Sequence, residues 1–184
     1  MADLAGNKTI YYTFTGPIDS AAASRIAAAF NHAANDRYDE VYLAFSSLGG
    51  HVADGIFLYN LIRGLPQKVT IHNIGSVCSI AVAIYVAADK RLCSGHGAFM
   101  VHPTILPISD HMNVERLQAS LDATLSDDNR IENILRERTA ISDAILAERT
   151  VKDVNISPQE AVAYELAHGV AELDLPHGIQ IIQI

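Results

Sequence analysis

Short apolar runs alternate along the chain with longer stretches of helical period. Thr9-Ile-Tyr-Tyr-Thr-Phe14 is rich in β-branched and aromatic residues and predicts a strand. Gly16-Pro17 breaks it, and Asp19 and Ser20 can cap an alanine-rich helix running to about Asn35. Glu40-Val-Tyr-Leu-Ala-Phe45 predicts a second strand, and Ser46-Ser-Leu-Gly-Gly50 leads from it into a helix. In that helix Leu58, Leu61, Ile62 and Leu65 fall at i, i+3, i+4 and i+7, before Gly64 and Pro66 end it. A third strand, Lys68 to Ile74, passes through Gly75 into a second apolar helix beginning near Ser79.

A short strand after Arg91 and another at Ala98-Phe-Met-Val101 come next, the latter ending at His102-Pro103. Residues from about Asn113 to Ala147 mix helix formers with charges, predicting one long amphipathic helix and a shorter one, split near Ile141-Ser142. Ser157-Pro-Gln-Glu160 has a cap, a proline in the first helical position and a glutamate three residues after the cap, the pattern of a capping box. Ile179 to Ile184 predicts a last strand. Pro and Gly sit at element ends, and no repeat or linker intervenes. The pattern is that of one α/β domain over residues 1–184.

Composition narrows the function. A chain 49% hydrophobic and 18% charged can bury a core and is not disordered. Its net charge of −8 and pI near 5.3 argue against nucleic acid, whose phosphates are held by clustered Lys and Arg. The start, Met1-Ala2-Asp3-Leu4, lacks a basic segment followed by an apolar one, and no apolar run reaches the ~20 residues that span a bilayer. A cytoplasmic protein without a membrane partner is the expectation. Cys78 and Cys93 match no zinc spacing and are expected to stay reduced. No cofactor and no metal site is read from the chain.

Four segments could carry chemistry. Ser46-Ser-Leu-Gly-Gly50 joins a buried strand to a helix N-terminus, where free N–H groups and paired glycines allow close approach of a ligand, or simply make a tight turn. Gly75-Ser-Val-Cys-Ser79-Ile80-Ala81 puts Ser79 at a strand-to-helix turn, as a nucleophile with the Ile80 N–H beside it, or as a helix cap. His102 ends a strongly apolar strand and is one of 8 histidines. Asp153 lies in the loop before the Ser157 cap, where a solvated carboxylate is the plain alternative. Cys78 neighbours Ser79, but successive helical residues point about 100° apart and cannot share one base, so it reads as a small buried residue.

Together these segments resemble the Clp proteolytic subunit, peptidase family S14 of the crotonase-like fold, over residues 9 to 174. Ser47-Leu-Gly-Gly50 stands where the family has Asn-Ser-Pro-Gly-Gly, with Ser46 and Leu48 as departures. Gly75-Ser-Val-Cys-Ser79-Ile80 matches Gly-x-x-Ala-Ser-Met, Met100-Val-His102-Pro103 matches Met-Ile-His-Gln-Pro without the Gln, and Asp153 precedes Ser157-Pro-Gln-Glu160-Ala161 as the family's acid precedes Ser-x-x-Glu-Ala. The resemblance implies a fold of repeated β-β-α units with a protruding handle at about 104–150. It implies Ser79 as nucleophile, His102 as general base, Asp153 as the orienting acid, and Gly50 and Ile80 as oxyanion-hole N–H donors, with Gly49 shaping the loop.

The expected substrate is a peptide or unfolded protein, cut inside a homo-oligomeric chamber of two stacked seven-membered rings. Only about eight residues precede the first strand, whereas the family has a longer N-terminal segment that docks an unfoldase; this argues against a standard AAA+ partner. Two other readings stay open. One is a crotonase-fold enzyme acting on acyl-CoA thioesters, which the glycine turns allow but which leaves Ser, His and Asp unused. The other is an inactive subunit of a mixed ring, keeping the handle and tolerating the departures. A Ser-Lys dyad with Lys90 is a weaker possibility.

Overall fold

The computed structural model describes residues 8–106 and 111–184. The expectation of a short N-terminal segment rests on residues 1–7, and part of the expected handle on 107–110; both lie outside the described residues.

Two strand-helix units build the centre. β1 (Thr9–Thr15) lies parallel to β2 (Glu40–Ser47), and α1 (Ser20–Asn35) connects them. The Asp19 carboxylate accepts the Ala22 N–H at 2.8 Å, so Asp19 and not Ser20 caps α1. Ala22, Ala23, Ile26, Ala29, Phe30 and Ala33 form the buried face of α1, and the Tyr12 hydroxyl of β1 donates to the Ala29 carbonyl at 2.9 Å. α2 (Val52–Gly64) then leads to β3 (Lys68–Cys78), parallel to β2. Gly55 of α2 is where this helix meets the next. A Cβ there would stand 2.2 Å from Ile80 Cγ1, so only glycine fits.

β3 runs past the expected end at Ile74, through Gly75, to Cys78. The cause is a change of neighbour that local periodicity does not carry. Thr70–Asn73 pair with β4 (Lys90–Cys93), whereas Ser76–Cys78 pair with β5 (Ala98–Val101). Asn73 stitches the switch: its amide nitrogen donates to the Ala98 carbonyl at 2.9 Å, and its amide oxygen accepts the Gly75 N–H at 3.0 Å. On the other edge Ser46 bridges a β2 irregularity, accepting the Ser76 N–H at 3.2 Å. α3 (Ile80–Val86) follows, and all seven of its residues are buried.

The long helix expected from the 113–147 pattern is α4 (Val114–Arg138), capped by Asn113, and the short one is α5 (Asp143–Arg149), capped by Ser142. Only the C-terminal part of α4, at Ile131, Ile134 and Leu135, is buried. Val114, Leu117, Leu121 and Leu125 stay exposed at near-helical spacing, an apolar stripe along a helix that projects from the domain. β6 (Val154–Ile156) is antiparallel to β5; α6 (Pro158–Ala163) carries the capping box of Ser157 and Glu160; β7 (Gly169–Val170) pairs with β4, and β8 (Ile181–Gln183) adds to β1. The sheet has eight strands in the order β6-β5-β3-β2-β1-β8, with β4 and β7 off this path. β6 and β7 were not evident from the residue pattern, being two or three residues long.

Two histidines tie this frame together in neutral form. His72 is fully buried, with Nδ1 on the Tyr42 hydroxyl at 2.6 Å and Nε2 facing the Ala171 carbonyl and Ser94 Oγ. Burial lowers its pKa below 6.5, outweighing the Ala171 hydrogen bond and Glu172. Burial, and then the charges of Arg91 and Arg138, lower that of His168. Both native values lie below those of the unfolded chain, so the unfolded state takes up more protons as pH falls. Stability should be fully present above pH ~6.5 and fall as the pH drops towards the native values. Thermal melts between pH 7 and 5 would show the decline, with a shallower slope in His168→Gln; equal slopes would exclude His168 as a contributor.

Candidate active site

The site begins at the junction of β3 and α3. The Ser79 N–H donates to the Met100 carbonyl at 2.8 Å, which ties the junction to β5, while the next residues are locked into the buried α3. Between these anchors Ser79 takes φ 56° and ψ −133°, a left-handed φ disfavoured for a residue with a side chain. Its hydroxyl makes no capping bond to α3. Ser79 is therefore not the ordinary helix cap that the sequence also allows. It stands half-buried on a tight turn with its oxygen uncommitted, the geometry of a strand-to-helix nucleophile turn.

The Gly49-Gly50 segment closes over this turn. A Cβ on Gly49 would lie 2.7 Å from Ser79 Cβ, and Gly49 has φ 101°, so both space and backbone demand glycine. Gly50 forms a parallel bridge to Ile18, in which Ile18 N–H donates to the Gly49 carbonyl at 2.9 Å and His51 N–H donates to the Ile18 carbonyl at 2.7 Å. Those flanking bonds leave the Gly50 N–H on the opposite side, where it has no acceptor among the described residues. The Ile80 N–H, the first of α3, is likewise unengaged among them.

Gly50, Ser79 and His102 line one cleft of about 280 Å³. Leu48, Val52, Ile105 and Ile131 give it apolar walls. His102 follows β5 directly, and its Nδ1 donates to the Pro103 carbonyl at 2.7 Å, a tautomer that leaves Nε2 as the basic nitrogen. It makes no hydrogen bond to Ser79. Asp153 is exposed and makes no hydrogen bond to His102. The nearest backbone relation between the two is the β5–β6 ladder, which pairs Phe99 with Ile156, Met100 with Asn155 and Val101 with Val154. His102 and Asp153 each lie one residue beyond the last pair of that ladder.

Cys78 is buried, and burial raises its thiol pKa despite the hydrogen bond with Met100, so it is a packing residue beside Ser79 and not a ready thiolate. Cys93 is also free and buried. Lys90 is exposed at the start of β4 and does not line the cleft. Among the described residues no group of His, Cys, Asp and Glu gathers as metal ligands, and no helix is long and apolar enough to cross a membrane.

The Clp protease family profile matches residues 2–174. The chain belongs to the Clp protease family. It is 28% identical over 169 residues to the ATP-dependent Clp protease proteolytic subunit 2 of Pseudomonas aeruginosa, covering 88% of this chain and 83% of that one. It is 30% identical over 159 residues to the proteolytic subunit 3 of Rhizobium meliloti, covering 85% and 78%. The structure of a ClpP1 point mutant from Listeria monocytogenes superposes with a TM-score of 0.76 at 21% identity, over 91% of this chain and 92% of that one. The fold is thus the crotonase-like Clp protease fold expected from the motifs, and the relatives make this a ClpP-like protease chain.

One group at the cleft was not anticipated. Arg149, the last residue of α5, has no exposed surface, lines the cleft beside His102, and pairs with Asp128 of α4. Residues 21 apart on two helices leave no local signature of such a pair; the only hint is an arginine on the otherwise apolar face with Leu146.

The Ser79 turn yields a stability test. Relief of positive-φ strain, of order 1–3 kcal/mol, should exceed the added unfolded-state entropy of glycine, about 0.5–1 kcal/mol. Ser79→Gly should therefore melt above Ser79→Ala, and identical melting temperatures would show the turn to be unstrained.

Proposed function

We propose that the chain is a serine endopeptidase that hydrolyses peptides and unfolded proteins, with Ser79 as nucleophile, His102 as base, Asp153 as orienting acid, and the Gly50 and Ile80 N–H groups as oxyanion hole. The carrying observation is the strained Ser79, its hydroxyl uncommitted, facing one cleft with His102 and the Gly50 amide. In the reaction Ser79 Oγ attacks the scissile carbonyl while its proton passes to His102 Nε2. The carbonyl oxygen gains negative charge and moves onto the two N–H groups. The imidazolium then gives its proton to the leaving amine; water, deprotonated in turn by His102, attacks the acyl carbon, and the imidazolium returns that proton to Ser79 Oγ as the ester bond breaks.

For Asp153 to hold Nδ1–H, the imidazole must exchange its Pro103 bond for the carboxylate just beyond the end of the β5–β6 ladder. The exposed stripe on α4 supports a homo-oligomer in which the projecting helices of facing rings cover one another, and two stacked seven-membered rings are the proposed assembly. The same missing His102–Asp153 bond favours the second reading, an inactive subunit completing a mixed ring. The acyl-CoA alternative uses the Gly50 and Ile80 amides but gives the Ser79 turn no work.

A fluorophosphonate probe separates these readings. Labelling at Ser79, lost in Ser79→Ala, is the expected result; no labelling of the chain alone or mixed with an active subunit would leave the inactive reading. Asp153→Asn should keep the fold and lower kcat by up to about 10⁴-fold, the effect of losing the group that sets the imidazole tautomer. A change under about tenfold would remove Asp153 from the mechanism.

A further inference from the structure

Among the described residues Arg149 is the only arginine lining the cleft, and it is held in a way that reaches the proposed base. Nη1 donates to the His102 main-chain carbonyl at 3.1 Å and to Asp128 Oδ1 at 2.9 Å. Nη2 donates to Asp128 Oδ2 at 3.1 Å and to the Asp128 carbonyl at 3.4 Å, with Glu132 Oε2 at 3.7 Å. Asp128 Oδ1 also accepts from Thr104 twice, from N–H and Oγ1, each at 3.0 Å. One guanidinium and one carboxylate thus grip the chain on both sides of Pro103: at the His102 carbonyl before it and at the Thr104 amide after it. Arg149 is also four residues from Asp153, so the same anchor holds the start of the loop that carries the acid.

We propose that Arg149, locked by Asp128, is the positioning residue of this active site: it fixes the main chain of His102 and the root of the Asp153 loop so that base and acid can face each other. This rests on the serine-peptidase reading for its catalytic consequence. Its geometric content does not. A fork that makes two parallel bonds to a carboxylate while reaching a third acceptor is specific to arginine; a lysine keeps the charge and loses the fork. A buried arginine elsewhere provides the control. Arg91, in β4, is buried too and donates to the Val86 and Glu165 carbonyls, away from the cleft.

The test compares Arg149→Lys with Arg91→Lys at a temperature where both are fully folded. Displacement of about 1 Å at a catalytic group can cost about 10²-fold. Arg149→Lys should therefore lower kcat on a fluorogenic peptide by about 10- to 100-fold with KM within about threefold, and slow fluorophosphonate labelling of Ser79 to match. Arg91→Lys should leave kcat within about twofold. In hydrogen exchange, the Thr104 amide and residues 150–154 should exchange faster in Arg149→Lys only. If Arg149→Lys does not fold, Asp128→Asn carries the same test, since it weakens the same grip. Equal kcat losses in the two arginine variants, or an Arg149→Lys enzyme within about twofold of the parent, overturn the proposal. If the parent itself fails to label, the peptidase reading falls and exchange alone judges the grip: unchanged Thr104 protection overturns it.

Discussion

The site depends on a forced turn between a strand that is paired on both edges and a helix with no exposed residue. β3 cannot shift, because Ser76–Cys78 are bonded to β5 on one side and Val77 is in register with Ser47 of β2 on the other. α3 cannot shift either, since Ile80 to Val86 are all buried and each large apolar side chain among them contributes about 1.5–3 kcal/mol on burial. Ser79 must span the gap between them, and a positive φ is the consequence. Strain of this kind persists only where surrounding packing over-determines it.

Much of this was legible along the chain. Strands of β-branched and aromatic residues, glycines and prolines at element ends, and the cap at Ser157 are local signals, and they place Ser79 near the start of α3 and His102 at the end of β5. The extension of β3 beyond Gly75 was not legible, since it depends on a change of partner strand well downstream and not on periodicity. β6 escaped for a related reason: three residues acquire strand character only by pairing with β5. That pairing brings side by side the ends of β5 and β6, which His102 and Asp153 adjoin. A resemblance in motif could name the two residues, but only the register sets them at adjoining ends of neighbouring strands.

The polar groups divide by how they are compensated. Arg149 is an ion without solvent, and its position is tenable because Asp128, two main-chain carbonyls and Glu132 surround the guanidinium. Removing one partner of such a pair commonly costs about 3–5 kcal/mol, whereas the pair as a whole adds little net stability. A pair of that kind is better suited to fixing geometry than to holding the fold together. Burial raises the pKa of Asp128, but the bonds from Arg149 and Thr104 outweigh it and keep the carboxyl below its ordinary range. The Asp128 carboxyl therefore stays ionised throughout the neutral range.

With the main chain held on both sides of Pro103, the remaining freedom at His102 lies in its side chain. Its Nδ1–H now meets a neutral carbonyl one residue away. The competitor just beyond the end of the β5–β6 ladder is a carboxylate, and charge-assisted bonds are roughly twice as strong as neutral ones. An exposed carboxylate such as Asp153 gives up hydration to make that bond, so solvent offsets most of the advantage. The two arrangements then differ by an amount on the order of one hydrogen bond, about 1 kcal/mol. Excluding water from the Asp153 loop is enough to reverse such a balance, because desolvation strengthens the ionic bond more than the neutral one. The Ser79 turn and the Arg149 grip on the main chain do not depend on which of the two acceptors the imidazole takes, so the choice between them is left to the His102 side chain.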